Sequence, residues 1–251
     1  PPSDMEPSDI FISSSGVPYI SAVKMQQPAR PLLGIVDGYR PLRVAVPRFS
    51  SFIAVQSTPI ASAINTITVT LGCQSVECAA GTTLTITGLT SAGTKTNPTA
   101  GLELTGLNRT VFVSAAGNFD PMNGTLKLTV ASGQTILKGG NITFAFSLVN
   151  SDAENTAPNI TLSGVGNTSV FGANASIFSS MSSAYSALLL LGVKDGYIPL
   201  RVIVPRFIDF QIAQSSPLAS EINFISVTIS TNVDCISGSQ FTITGLGGTL
   251  T

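Results

Sequence analysis

Apolar and polar residues alternate with a period of two along most of this chain. Leu42, Val44 and Val46 alternate with Arg43 and Ala45, and Ile67, Val69 and Leu71 with Thr66, Thr68 and Thr70. Leu84 and Ile86 sit among Thr83, Thr85 and Thr87, and Leu126, Leu128 and Val130 alternate with Thr125, Lys127 and Thr129. Ile142, Phe144, Phe146 and Leu148 alternate with Asn141, Thr143, Ala145 and Ser147, and Ile160 and Leu162 flank Thr161. Such alternation predicts half-buried antiparallel strands with one face on a core and a Thr- and Ser-rich face toward water. Asp37-Gly38, Asn123-Gly124, Gly139-Gly140 and Gly247-Gly248 read as the turns between them. The expected fold is all-β, built of antiparallel β-sandwich modules. Residues 174–191 are the best candidate for one short helix. The apolar run 187–193 is far too short to span a bilayer and reads as a buried strand.

The pattern repeats. Residues 34–71 and 192–229 align without a gap at an offset of 158, and 23 of the 38 pairs are identical. Asp37-Gly38-Tyr39 followed by Pro41-Leu42-Arg43-Val44 matches Asp195-Gly196-Tyr197 followed by Pro199-Leu200-Arg201-Val202. After a one-residue deletion, Cys78 falls on Cys235, and Thr85-Ile86-Thr87-Gly88-Leu89 on Thr242-Ile243-Thr244-Gly245-Leu246. Repeats of this length point to tandem modules. Residues 1–30, polar and Pro-rich, read as an extended N-terminal arm. Residues 31–185 read as a first repeat unit, either one large sandwich or two small ones, and 186–251 as the first part of a second, incomplete unit. Such a part exposes strand edges that a continuation of the chain, another copy, or strands from the 1–30 arm could complete.

Composition narrows the function. Charged residues make up 10% of the chain and net charge is −1, which gives no electrostatic basis for nucleic-acid binding. With no His, the Ser-His-Asp and Cys-His arrangements are absent. The three Cys do not sit at zinc spacing, and no Gly-rich phosphate loop precedes a helix. No catalytic residue, metal ligand or cofactor site is assigned, and the chain is read as a non-enzyme. Asp37, Arg43 and Arg48 recur as Asp195, Arg201 and Arg206. The arginines could form a ridge for sulfated or carboxylated glycans, but a structural role at turns, or at the junction between modules, is the stronger reading. The oxygens of 120–124 and 152–155 lack EF-hand spacing and read as solvated turns.

Cys73 and Cys78 lie across a strand end, either as a local disulfide, the favoured reading, or as two buried thiols. Cys235 has no repeat-equivalent partner, since Thr231 or Ser230 stands where Cys73 would. It is left with an intermolecular partner, a partner in a missing segment, or a free thiol. Asn-x-Ser/Thr sequons occur at Asn108, Asn123, Asn141, Asn159, Asn167 and Asn174. Asn141 and Asn159 fall on the polar phase of their strands, where a glycan would reach water.

The segments 66–71, 80–89 (Ala-Gly-Thr-Thr-Leu-Thr-Ile-Thr-Gly-Leu), 124–130 and 139–163 resemble the Ig-like repeats of large secreted algal and protist proteins, some of which build surface coats or flagellar hairs (mastigonemes). The resemblance implies an extracellular, N-glycosylated structural module and carries over no active-site residues. The expected function is thus a structural subunit of an extracellular glycosylated fibre or surface layer. It would assemble head to tail with copies of itself by strand complementation, carry covalent N-glycans and lack a membrane span. The alternative is a monomeric adhesive or carbohydrate-binding β-sandwich module.

Overall fold

A computed structural model describes residues 3–90, 92–93, 101–166, 177–184 and 188–247. The chain is all-β. β1 (Phe11–Ser14) and β2 (Ile20–Lys24) form an antiparallel hairpin. β3 (Phe49–Gln56), β4 (Ile64–Cys73), β5 (Cys78–Ala79), β6 (Thr83–Thr87), β7 (Ala92–Gly93) and β8 (Leu102–Glu103) follow. Then come β9 (Ala116–Asp120), β10 (Thr125–Thr129), β11 (Thr135–Ile136), β12 (Asn141–Asn150), β13 (Thr161–Val165) and β14 (Ile177–Ser182). A second hairpin, β15 (Phe207–Gln214) with β16 (Ile225–Thr231), follows them.

Two main sheets carry the middle of the chain, in the orders β3-β4-β12-β7 and β14-β13-β6-β10-β9-β8. Their arrangement is consistent with a β-sandwich. The sheets meet where the Phe49 ring of β3 stacks on Phe178 of β14, centroids 5.1 Å apart. Gly164 of β13 permits this approach, because a Cβ there would meet Leu84, Phe49 and Phe178 at 3.1–3.3 Å. The alternation explains the core. Ile67, Val69 and Leu71 of β4, Leu84 and Ile86 of β6, Leu126 and Leu128 of β10, and Phe144, Phe146 and Leu148 of β12 are all buried. Each contributes roughly 1.5–3 kcal/mol by leaving water. On the outer face, Thr70 and Thr143 are 2.9 Å apart and Thr66 and Ser147 3.2 Å, cross-strand hydroxyl pairs that help fix register. One contiguous apolar cluster runs from Phe49 to Phe178 and takes in Leu200.

Three expectations are corrected. No helix occupies the described part of 174–191. Residues 177–182 pair with β13 as β14, with a bulge between Leu162 and Gly164, because β13 offers an open edge that a short helix would leave unpaired. The described part of the 187–193 run, residues 188–193, is not a buried strand. Leu188 and Leu189 are exposed, Leu190 bridges Val193 in a tight turn, and Leu191 has φ 51°. Residues 42–46 form no strand either; Leu42, at φ 64°, lies in a turn, and the segment has one bridge, from Val44 to Met5.

The described part of the 1–30 arm is folded on itself, and its pairing duplicates the end of the complete unit. In β1–β2, Phe11 opposes Lys24, Ile12 opposes Val23, and after a bulge Ser14 opposes Ile20. In β13–β14, Thr161 opposes Ser182, Leu162 opposes Met181, and after a bulge Gly164 opposes Phe178. The β15–β16 hairpin likewise repeats β3–β4. Phe210 opposes Ile229 as Phe52 opposes Leu71, with the same bulge one step earlier. The leading hairpin thus pairs as β13–β14 do and the trailing hairpin as β3–β4 do, on either side of the one unit, β3 to β14, whose two main sheets are both present among the described residues.

Candidate functional site at the junction between units

Residues 30–48 precede β3 and residues 188–206 precede β15, and the two segments fold alike. Leu33, Asp37 and Leu42 have φ values of 53°, 59° and 64°; Leu191, Asp195 and Leu200 have 51°, 59° and 61°. Gly38 and Gly196 lie so close to Leu32 and Leu190 that a Cβ would come within 2.8 and 2.9 Å of the leucine Cβ atoms. Only glycine fits this turn, which accounts for the recurring Asp-Gly.

The arginines of each segment tie it to residues earlier in the chain. Arg43 donates to the Met5 carbonyl (3.1 Å) and pairs with Glu6; Arg201 donates to the Asn155 carbonyl (2.8 Å). Arg48 bonds Asp4 at 3.0 Å, and Arg206 bonds Glu154 at 2.9 Å. The Val46 N–H, donating to Asp4 Oδ1 at 2.7 Å, and then the Arg48 guanidinium hold the Asp4 carboxyl below the usual aspartate range. The same junction reaches the following unit, since Leu33 O accepts from Glu77 N (3.2 Å) and Leu191 O from Asp234 N (2.9 Å). The recurring arginines therefore act as junction ties. Asp37 faces Arg40 at 3.8 Å; Ile198 replaces that arginine in the second copy.

The second junction is plugged into the complete unit. Leu200 and Val202 are fully buried there. Beneath them Gln56, 2% exposed, donates from Nε2 to Gly196 O (2.7 Å) and Arg201 O (2.9 Å) and accepts Leu200 N–H at Oε1 (2.8 Å). Asn65 Nδ2 donates to Gln56 Oε1 and to Asn150 Oδ1, both at 2.8 Å, and Asn150 Nδ2 donates to Ile60 O at 2.8 Å. Three amides at the inward ends of β3, β4 and β12 thus satisfy the buried backbone of an irregular plug, which could not lie on an apolar core otherwise. A backbone bridge extends the grip: Ile203 N donates to Pro59 O (2.7 Å) and Ala61 N to Ile203 O (3.0 Å).

The copies of these parts at the two flanks are open. Leu42 and Val44, equivalent to Leu200 and Val202, are 61% and 42% exposed. Gln214, equivalent to Gln56, is exposed and already held by Asn223 Nδ2 at 2.9 Å, as Asn65 holds Gln56. Phe49 is 3% exposed and its counterpart Phe207 51%; Phe52 is 1% exposed and Phe210 72%. Ile212, Val227, Ile229, Phe241 and Ile243 line an open apolar trough. Sequence reasoning passed over Gln56 and Gln214. Their signal is an identical polar residue on the inward phase of a strand in both copies.

Cys73 and Cys78 are joined in a disulfide. Thr231 takes the Cys73 place, its hydroxyl 3.5 Å from the free, exposed Cys235. Among the sequon residues, Asn123, Asn141 and Asn159 are exposed, and half-buried Asn108 accepts Thr143 N–H through Oδ1 at 2.9 Å. Asn167 and Asn174 lie outside the described residues. The 120–124 turn is self-satisfied: the Asn123 side-chain amide (2.6 Å), with the Asn123 and Met122 N–H groups, binds the Asp120 carboxylate and lowers its pKa. The described residues include no group of three potential metal-binding side chains, and no helix among them is long and apolar enough to cross a membrane. Comparison of the chain with protein-family models and with curated proteins finds no match.

Proposed function

We propose that this chain is a structural subunit of an extracellular, N-glycosylated fibre or surface layer. Its modules are tandem Ig-like sandwiches, and copies join head to tail by strand complementation. The observation that carries the reading is the contrast between equivalent residues: the positions that form the core of the complete unit lie bare on the trailing hairpin. Exposed sheet faces and edges of this size are sites of association, and a contact between different surfaces of identical copies propagates into a filament rather than closing. Rigid, repeating junctions suit a load-bearing array. The Cys73–Cys78 disulfide fits an oxidising compartment. All six sequons fall between 108 and 174, so glycans there would coat the closed unit and leave both flanking hairpins free to dock.

Electron microscopy of the chain produced through a secretory pathway tests this reading, with mass spectrometry of the sequon peptides. Filaments bearing glycan at Asn108, Asn123, Asn141, Asn159, Asn167 and Asn174 are expected, and deletion of residues 1–30 abolishes them. Monodisperse particles without glycan would overturn it.

A further inference from the structure

The complete unit shows what covers each open flank, because it contains both halves of the contact already joined. We propose that the trailing hairpin of one copy is the socket for residues 4–45 of a second copy, docked in the geometry that residues 154–166, 177–184 and 188–203 adopt on β3, β4 and β6. The inference rests on the fibre reading and specifies its joint residue by residue.

The donor is a single preformed piece. The Met5–Val44 bridge mirrors Asn155–Val202. Met25 N donates to Ile10 O as Ser183 N donates to Ile160 O. β1–β2 and the 37–44 plug are thus held relative to each other as β13–β14 and the 195–202 plug are, and both can seat together. The contacts follow by equivalence. Gln214 Nε2 of the acceptor donates to Gly38 O and Arg43 O of the second copy, and its Oε1 accepts Leu42 N–H. Ala45 N of the second copy donates to Pro217 O, and Ala219 N donates to Ala45 O. β13 pairs with β6 with Leu162 opposite Ile86 and Gly164 opposite Leu84. Accordingly Ile12 of the donor opposes Ile243 of the acceptor, and Ser14 opposes Phe241. Ile20 takes the place of Phe178 against Phe207.

The chemistry of the two surfaces agrees with this occupant. Leu42 and Val44 are apolar plug residues without a pocket, and Phe207, Phe210 and Ile212 are pocket walls without a plug.

Complementation between two blocked full-length chains tests the joint. Leu42→Asp spoils the plug and leaves the socket; Gln214→Ala spoils the socket and leaves the plug. Both positions are exposed in the single chain, so each variant keeps the parent's circular dichroism and melting temperature. Sedimentation at a concentration where the parent forms filaments gives the readout. Each variant alone sediments as a monomer, and an equimolar mixture yields dimers and nothing larger, because only one productive joint can form. Variants that polymerise like the parent, or a mixture that stays monomeric, overturn the plug-and-socket joint and leave strand complementation standing. A parent that stays monomeric at every concentration overturns the fibre reading itself.

Discussion

Gln56 and Gln214 are the same residue at the same position of two copies of one fold, and they should respond to truncation very differently. Gln56→Ala removes the donor to Gly196 O and Arg201 O and the acceptor of Leu200 N–H, all within 2.9 Å. A buried polar group left unpaired costs about 1–3 kcal/mol. Water entering the vacated space recovers part of that for three backbone groups, and Asn65 keeps its bond to Asn150. The net cost is about 3 kcal/mol. Gln214→Ala removes an exposed side chain bonded to Asn223 and should cost no more than about 0.5 kcal/mol in the dilute monomer. Urea unfolding of the two variants and the parent, followed by circular dichroism at a concentration too low for assembly, measures both. A lower midpoint for Gln56→Ala with unchanged slope, beside an unshifted Gln214→Ala, is expected. Equal costs at the two positions would show that the amide cluster does not hold the junction, and the argument from equivalence would fail with it.

Gly88 and Gly245 form a second matched pair. Both have positive φ, 87° and 89°, but a Cβ at Gly88 would lie 2.2 Å from Asn159 O while none of the surroundings comes within 4 Å at Gly245. Gly88→Ala should lower stability by about 3 kcal/mol and Gly245→Ala by about 1 kcal/mol, read from denaturation midpoints. Replacing Cys73 and Cys78 by serine opens a loop with a sequence separation of 5 and should cost about 2 kcal/mol by the chain-entropy estimate. Acid should loosen the leading junction. The Asp4 carboxyl has a folded pKa below its unfolded value, so its contribution is complete above the ordinary aspartate range and is lost as pH falls through the folded pKa. Asp4→Asn should remove that part of the acid dependence, seen as a protection factor at the Val46 amide, corrected for the intrinsic exchange rate, that no longer falls with pH.

The strands with one buried and one wet face were legible in the sequence, because burial imposes a strict period of two on β4, β6, β10 and β12. The junction was not. Its apolar residues Leu42, Val44 and Val46 mimic strand alternation, yet three left-handed residues turn the chain where only backbone coordinates show it. The same turn makes the run through Val193 look like a buried strand. The kinship of β1–β2 with β13–β14 was hidden for another reason. Between residues 4–16 and 154–166 the offset is 150, and only Ile10, Ser13 and Gly16 match Ile160, Ser163 and Gly166. What survives is the pairing register and its bulge, a property of the backbone. At the site itself, the arginines stood out by charge, whereas Gln56 and Asn65 act through burial, which sequence spacing does not report.

Hydrogen exchange of the trailing hairpin as a function of protein concentration tests most directly the claim that one copy completes another. Amides of 207–214 and 225–231 should exchange fast in the dilute chain and approach the protection of β3–β4 once copies assemble, while β3–β4 itself stays unchanged. Exchange in that hairpin that is the same at every concentration would contradict the account.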